Sequence, residues 1–159
     1  MKRGSTLLLK IVISLIGLLV MALLLWFPTI EGRNANADLF TIYFRDPFLA
    51  YVYLGSTPFF MALYQGIKLL GYIEQNKAFS SASVTALRNI KYCALIISGF
   101  IIVAIPSLLI FVEQDDAPGG VVIGIVILGT TIVTATAAAV FQKLFQNAVN
   151  IKSENDLTV

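Results

Sequence analysis

The most constraining feature of the sequence is the spacing of its charged residues. Four interior stretches carry no Asp, Glu, Lys or Arg, and each holds at least 20 residues: 11–30, 47–67, 92–112 and 117–142. A helix needs about 20 residues to cross a hydrocarbon core about 30 Å thick. Leu, Ile, Val, Ala and Phe dominate all four stretches, so each is suited to cross a bilayer.

The apolar pattern indicates helices rather than strands. The stretch "IVISLIGLLVMALLLWF" is apolar on every face, whereas a lipid-facing barrel strand alternates apolar and polar residues. The sequence therefore predicts an all-α membrane protein, a four-transmembrane-helix bundle in one domain over residues 1–159. We place the spans at about 8–28, 47–72, 88–112 and 119–147, followed by a cytosolic tail over 148–159.

The basic residues predict the orientation of these spans. Cytoplasmic loops of membrane proteins retain an excess of Lys and Arg. Only Arg33 and Arg45 lie on one side of the predicted spans. The other nine basic residues lie on the opposite side: Lys2, Arg3, Lys10, Lys68, Lys77, Arg88, Lys91, Lys143 and Lys152. We therefore expect both termini in the cytoplasm.

The first span also resembles a signal peptide, because "MKR" precedes it and the small residues Ala35 to Ala37 follow it. The apolar run is too long, however, and the small residues stand too far beyond it. We expect the first span to be retained.

The sequence offers few groups for catalysis or metal binding. It contains no His, and Cys93 is its only cysteine. No nucleophile–base pair, phosphate-binding glycine loop or metal-ligand cluster is recognisable, so we expect neither an enzyme nor a bound cofactor or metal. The net charge of +2 is too small to predict direct binding of nucleic acid. No charged residue lies near a span centre, which argues against an ion-coupled transporter.

The fourth span contains small and hydroxyl residues at helical spacing. Gly120 and Gly124 are four residues apart, and so are Thr130 and Thr134. Such spacing lets helix backbones approach closely. We favour packing inside the bundle. A polar seam or a homodimer face remains open, and it would suit a small transporter or channel subunit that oligomerises through this helix.

Two cytosolic stretches carry a family resemblance. "YIEQNKAFSSASVTALRNIKYCA" contains Phe79-Ser80 and the pair Leu87 and Ile90, and "KLFQNAVNIKSENDLTV" ends the chain. Both resemble the YoaS-like family of small bacterial four-span membrane proteins, a family of unknown function. The resemblance implies a bacterial plasma membrane location. It also implies a gene that often neighbours a small helix-turn-helix regulator, and hence a role in regulation.

The first stretch is a candidate cytosolic loop and interfacial helix. Ser80 or Ser81 is suited to cap a helix whose apolar residues lie along the inner interface before span three. Its basic residues would then face anionic headgroups. The candidate residues are Phe79, Ser80, Leu87, Arg88, Ile90 and Lys91.

The tail is a candidate interaction element. Glu154 and Asp156 are suited to fold back onto the basic inner face, or Leu157 and Val159 to contact a partner; a tolerant, disordered terminus is the alternative. The candidate residues are Glu154, Asn155, Asp156, Leu157, Thr158 and Val159. We therefore predict a non-enzymatic protein of the lipid bilayer that acts through contacts, as a partner or sensor for a cytosolic regulatory protein or as a homo-oligomer.

Overall fold

The structure is a computed structural model that describes residues 3–30, 38–44, 47–111 and 117–158. The described residues form helices and no strand. The helices are α1 (Arg3–Ile30), α2 (Leu39–Phe44), α3 (Pro47–Glu74), α4 (Ser81–Phe111) and α5 (Ala117–Leu157).

Each predicted span lies within one long helix, apart from Val112 at the end of the third span, which is outside the described residues; α4 begins seven residues before its predicted span and α5 continues ten residues beyond its own. Within the described residues, three segments are long and apolar enough to cross a membrane: Arg3–Pro28, Ser81–Ile110 and Pro118–Leu157. The prediction of an all-α membrane protein is confirmed. The fourth long helix, α3, is less apolar because it carries four tyrosines together with Gln65 and Lys68.

The long helices pack in the order of the sequence. α1 packs against α3, α3 against α4, and α4 most extensively against α5, while the short α2 lies against α3 and α1. In the described part of the chain α1 and α5 have no comparable contact. The four long helices therefore form an open row of antiparallel neighbours rather than a closed ring.

The buried residues are mostly small and concentrate in α4 and α5. Exposed large side chains, by contrast, surround α1, where Leu15, Leu18 and Leu19 are each about 60% exposed. Such surfaces are unusual for a water-soluble monomer and suit contact with lipid. The buried apolar residues are Leu49, Val84, Ala86, Leu87, Cys93, Ala94, Ala135 and Ala138.

Glycines and hydroxyl groups hold α3 between its neighbours. On the α1 side, the Tyr53 hydroxyl donates to the Leu24 carbonyl at 3.1 Å. On the α4 side, the Tyr51 hydroxyl donates to the Phe100 carbonyl at 2.5 Å. A Cβ at Gly55 would lie 3.3 Å from the Phe100 ring, so this position keeps the two helices close.

A compact turn joins α3 to α4. The Lys77 amide donates to the Tyr72 carbonyl at 2.8 Å, and the Asn76 amide donates to the Ile73 carbonyl at 3.1 Å. This pair of bonds, with Asn76 at a φ of 58°, is the Schellman arrangement that ends many helices. The Ser80 hydroxyl then accepts from the Ser83 amide at 3.3 Å and caps α4.

Candidate functional site

One end of the helix row gathers the basic residues of the described chain. The amino end of α1, the carboxyl end of α3, the first turns of α4 and the last turns of α5 meet there. The rings of Phe79 and Phe145, 5.1 Å apart, join the α3–α4 turn to α5. The basic residues at this end are Arg3, Lys10, Lys68, Lys77, Arg88, Lys91, Lys143 and Lys152; Lys2 lies outside the described residues.

An ion pair ties α1 to α3 at this basic end. The Lys10 ammonium lies 2.5 Å from a Glu74 carboxylate oxygen. Both side chains are about 30% exposed, so the pair is only partly shielded from solvent. It fixes the amino end of α1 beside the carboxyl end of α3, although the two residues are 64 positions apart in sequence.

The candidate loop residues extend from the turn into the start of α4. Phe79 is exposed on one side while its ring contacts Phe145. Ser80 is the cap, and the Ser83 hydroxyl donates back to the Lys77 carbonyl at 3.2 Å. These bonds order the connection between the two helices.

The proposed interfacial helix is not a separate element in the structure. Residues 81–91 form the first three turns of α4, where Leu87 is only 5% exposed. The apolar residues Val84 and Leu87 are therefore buried inside the protein rather than exposed to headgroups, because α3 and α5 pack on either side of α4. Arg88 is exposed, Ile90 and Lys91 are half-buried, and the Lys91 ammonium lies 4.7 Å from the centre of the Tyr92 ring.

The candidate tail continues α5. The helix runs without a break to Leu157, and Glu154, Asn155, Asp156, Leu157 and Thr158 are all exposed; Val159 lies outside the described residues. In the part of the chain that the structure describes, neither tail carboxylate forms an ion pair. The tail therefore projects away from the basic surface instead of folding onto it.

The small residues of α5 occupy two different faces. A Cβ at Gly124 would lie 3.0 Å from Ile105, and one at Gly120 would lie 3.2 Å from Leu108, so both glycines face α4. Thr130 and Thr134 are exposed, and their hydroxyls donate to carbonyls of their own helix at 2.9 and 2.8 Å.

A neighbouring hydroxyl pair joins α4 to α5. The Ser98 and Thr131 hydroxyl oxygens are 2.8 Å apart. Each hydroxyl has a single hydrogen, so one donates across the interface while the other is free to donate to a carbonyl of its own helix. This contact lies in the same packed face as the two glycines.

A polar groove at the basic end was missed by the sequence analysis. It has a volume of about 300 Å³ and lies between the last turns of α3 and the first turns of α4. Its polar lining residues are Gln65, Lys68, Tyr72, Ser81, Thr85 and Asn89. The sequence does contain two sets of polar residues at helical spacing, one on α3 and one on α4. Whether the two sets face each other depends on how the helices pair, which the sequence does not give.

Comparison with known proteins identifies relatives. Residues 31–159 match a protein family described as "Protein of unknown function (DUF2975)". The chain is 49% identical over 161 residues to "Uncharacterized membrane protein YoaS" of Bacillus subtilis (strain 168), and the match covers 100% of both chains. No solved structure matches the chain.

Proposed function

The chain belongs to the YoaS-like DUF2975 family of proteins of unknown function, and on that premise we propose a non-enzymatic role in regulation through protein contacts. The protein crosses the bacterial plasma membrane four times, with both termini in the cytoplasm. Its exposed cytosolic surface serves as the partner or sensor element for a cytosolic regulatory protein.

The inclusion of α3 as a span is supported by its packing. α3 is 28 residues long, which corresponds to about 42 Å of helix, and it lies between α1 and α4. Both of its neighbours are apolar enough to cross a membrane. A polar group of α3 can be satisfied by these neighbours, as Tyr51 and Tyr53 are, which lowers the cost of placing it at bilayer depth.

The orientation is supported by the basic end. Eight described Lys and Arg residues lie there, whereas the sequence places only Arg33 and Arg45 on the opposite side. Cytoplasmic surfaces retain such residues. The acidic Glu74 that lies among them is paired with Lys10.

The single observation that carries the functional proposal is the length of α5. Its 41 residues correspond to about 62 Å of helix, roughly twice the thickness of a hydrocarbon core. Leu157 lies 12 residues beyond Phe145, or about 18 Å further along the helix. In the proposed orientation, the last turns stand in the cytosol as an exposed rod that carries the tail residues of the family resemblance.

The exposed apolar residues of this rod favour a protein partner. Ile151 is 60% exposed and Leu157 is 86% exposed, beside Glu154 and Asp156. The two residues are six positions apart, or about 600° around the helix, so they lie on different faces of α5. Each is an apolar side chain of the kind that anchors a helix in a partner's groove. The charged neighbours would fix the register of docking.

Deletion of residues 154–159 tests this role. Partners are captured by cross-linking in native membranes and compared between wild type, the deletion and a variant with the six residues in scrambled order. We expect both variants to lose the regulatory partner at unchanged abundance. A Ser5→Ala variant, altered at an exposed position of α1, should retain it.

An unchanged set of partners at unchanged abundance would remove the proposal. The alternative, a transporter or channel subunit that oligomerises through α5, is less favoured because Gly120 and Gly124 already pack against α4. Flux of a substrate into liposomes by an oligomer assembled through α5 would reverse this preference.

A further inference from the structure

The polar groove between α3 and α4 is a site that the proposed function does not use. Gln65, Lys68 and Tyr72 recur along one face of α3, while Ser81, Thr85 and Asn89 recur along one face of α4 at intervals of about one turn. The helices are antiparallel, so both stripes line the same groove of about 300 Å³.

The charge of the groove is positive. Lys68 is the only ionisable residue at neutral pH among its lining residues, and its side chain is exposed. The Lys68 ammonium lies 4.9 Å from the centre of the Tyr64 ring. In the described chain it has no carboxylate within ion-pair distance, so its charge is available to an anion.

The remaining lining residues supply hydrogen-bond donors. A side-chain amide carries two donor hydrogens and a hydroxyl carries one. The side chains of Gln65 and Asn89 make no hydrogen bond within the described residues, and both are half-buried. The Thr85 hydroxyl is committed to the Ser81 carbonyl at 3.0 Å, so the neutral donors of the groove are the two amides and the hydroxyls of Tyr72 and Ser81.

The depth of the groove matches the phosphate level of a lipid leaflet. Gln65 lies 18 residues after Pro47, which is about 27 Å along the helix, near the far edge of a hydrocarbon core about 30 Å thick. Lys68 lies one turn further out. This placement rests on the four-span topology proposed above.

We infer that this groove binds the phosphate of an anionic phospholipid headgroup at the cytoplasmic face. Lys68 supplies the positive charge, and the amides of Gln65 and Asn89 donate to phosphate or headgroup oxygens. The two amides distinguish the site from a lysine that merely extends its side chain to the membrane surface.

The test measures which lipid stays bound to the purified protein. Native mass spectrometry compares retention of phosphatidylglycerol and phosphatidylcholine with identical acyl chains at equal concentration. We expect wild type to retain phosphatidylglycerol about tenfold better. Lys68→Gln should lose most of this preference, whereas Lys68→Arg should keep it. The double variant Gln65→Leu/Asn89→Leu should lower the retention of both lipids, because both carry the phosphate to which the amides donate.

Lys143→Gln is the matched control. It removes the same charge from an exposed lysine at the same end of the molecule, but Lys143 lies on α5 and outside the groove. The inference is wrong if wild type shows no preference for phosphatidylglycerol, or if Lys143→Gln lowers the preference as much as Lys68→Gln does. Monodisperse elution and an unchanged thermal midpoint confirm that each variant is folded.

A parallel experiment distinguishes the two sources of phosphate. Inorganic phosphate at millimolar concentration is added to the protein with bound phosphatidylglycerol. Retention of the lipid supports a headgroup site, whereas its displacement would assign the groove to a soluble phosphate and overturn the lipid assignment. Neither result depends on the side of the membrane, so the topology is judged separately.

Discussion

At the scale of single residues, glycine determines how closely α4 and α5 approach, because it has no side chain to hold the helices apart. Gly124 and Gly129 belong to the same helix, but only Gly124 faces a neighbour: an added Cβ there would lie 3.0 Å from Ile105, whereas nothing lies within 4 Å at Gly129. The pair therefore separates the effect of packing from the effect of removing a glycine.

We predict that Gly124→Leu destabilises the protein and Gly129→Leu does not. An extra side chain in a packed interface costs about 1–3 kcal/mol, while a leucine on the lipid face replaces glycine with a better helix former. Thermal unfolding in detergent, followed by circular dichroism, gives the comparison. Equal midpoints for the two variants would contradict the described packing.

Asn76 is a second residue whose identity follows from backbone geometry. Its φ of 58° lies in the left-handed region, which costs a residue with a Cβ about 1–2 kcal/mol and which Gly and Asn tolerate best. Asn76→Gly should therefore leave the unfolding midpoint unchanged or raise it, and Asn76→Val should lower it. A valine variant as stable as wild type would show that α3 ends differently.

At the scale of elements, the ion pair between Lys10 and Glu74 determines how α1 is held. α1 packs mainly on α3, and this contact joins the amino end of α1 to the carboxyl end of α3. Exposed pairs contribute about 0.2–1 kcal/mol, and buried pairs cost several kcal/mol when broken. With each side chain about 30% exposed, the pair lies between these limits.

Charge reversal tests the pair. Lys10→Glu and Glu74→Lys should each lower stability by about 1–2 kcal/mol, because each leaves two like charges side by side. The double variant Lys10→Glu/Glu74→Lys should recover most of the loss. Additive losses in the double variant would mean that the two side chains do not interact.

The elements also show what the sequence was able to predict. Runs without charge located the long helices, but they do not measure how apolar each helix is: α3 carries four tyrosines and is not among the three described segments apolar enough to cross a membrane. The continuation of α5 to Leu157 was not predicted, because the tail has no lipid-facing pattern. The absence of Gly and Pro over residues 148–157 is compatible with a continuous helix.

At the scale of the whole molecule, contacts distant in sequence were beyond prediction. Lys10 was assigned to the cytoplasmic side, but nothing local indicated that it meets Glu74. Likewise, Gln65 and Asn89 are 24 positions apart in sequence, and only the pairing of α3 with α4 places them in one groove. The packing of the four long helices in an open row, rather than a closed ring, is likewise a matter of tertiary contacts that the sequence does not reveal.

The central claim for the whole molecule is that α3 crosses the membrane, because this places the basic end, the groove and the tail on one side. Single cysteines in a Cys93→Ala background test it directly: Asp38→Cys before α3, Gln75→Cys after it, and Ser153→Cys in the tail. Each is treated in intact cells with a membrane-impermeant maleimide, before and after permeabilisation. The account predicts labelling of position 38 in intact cells, and labelling of positions 75 and 153 only after permeabilisation. Labelling of positions 38 and 75 from the same side would contradict it.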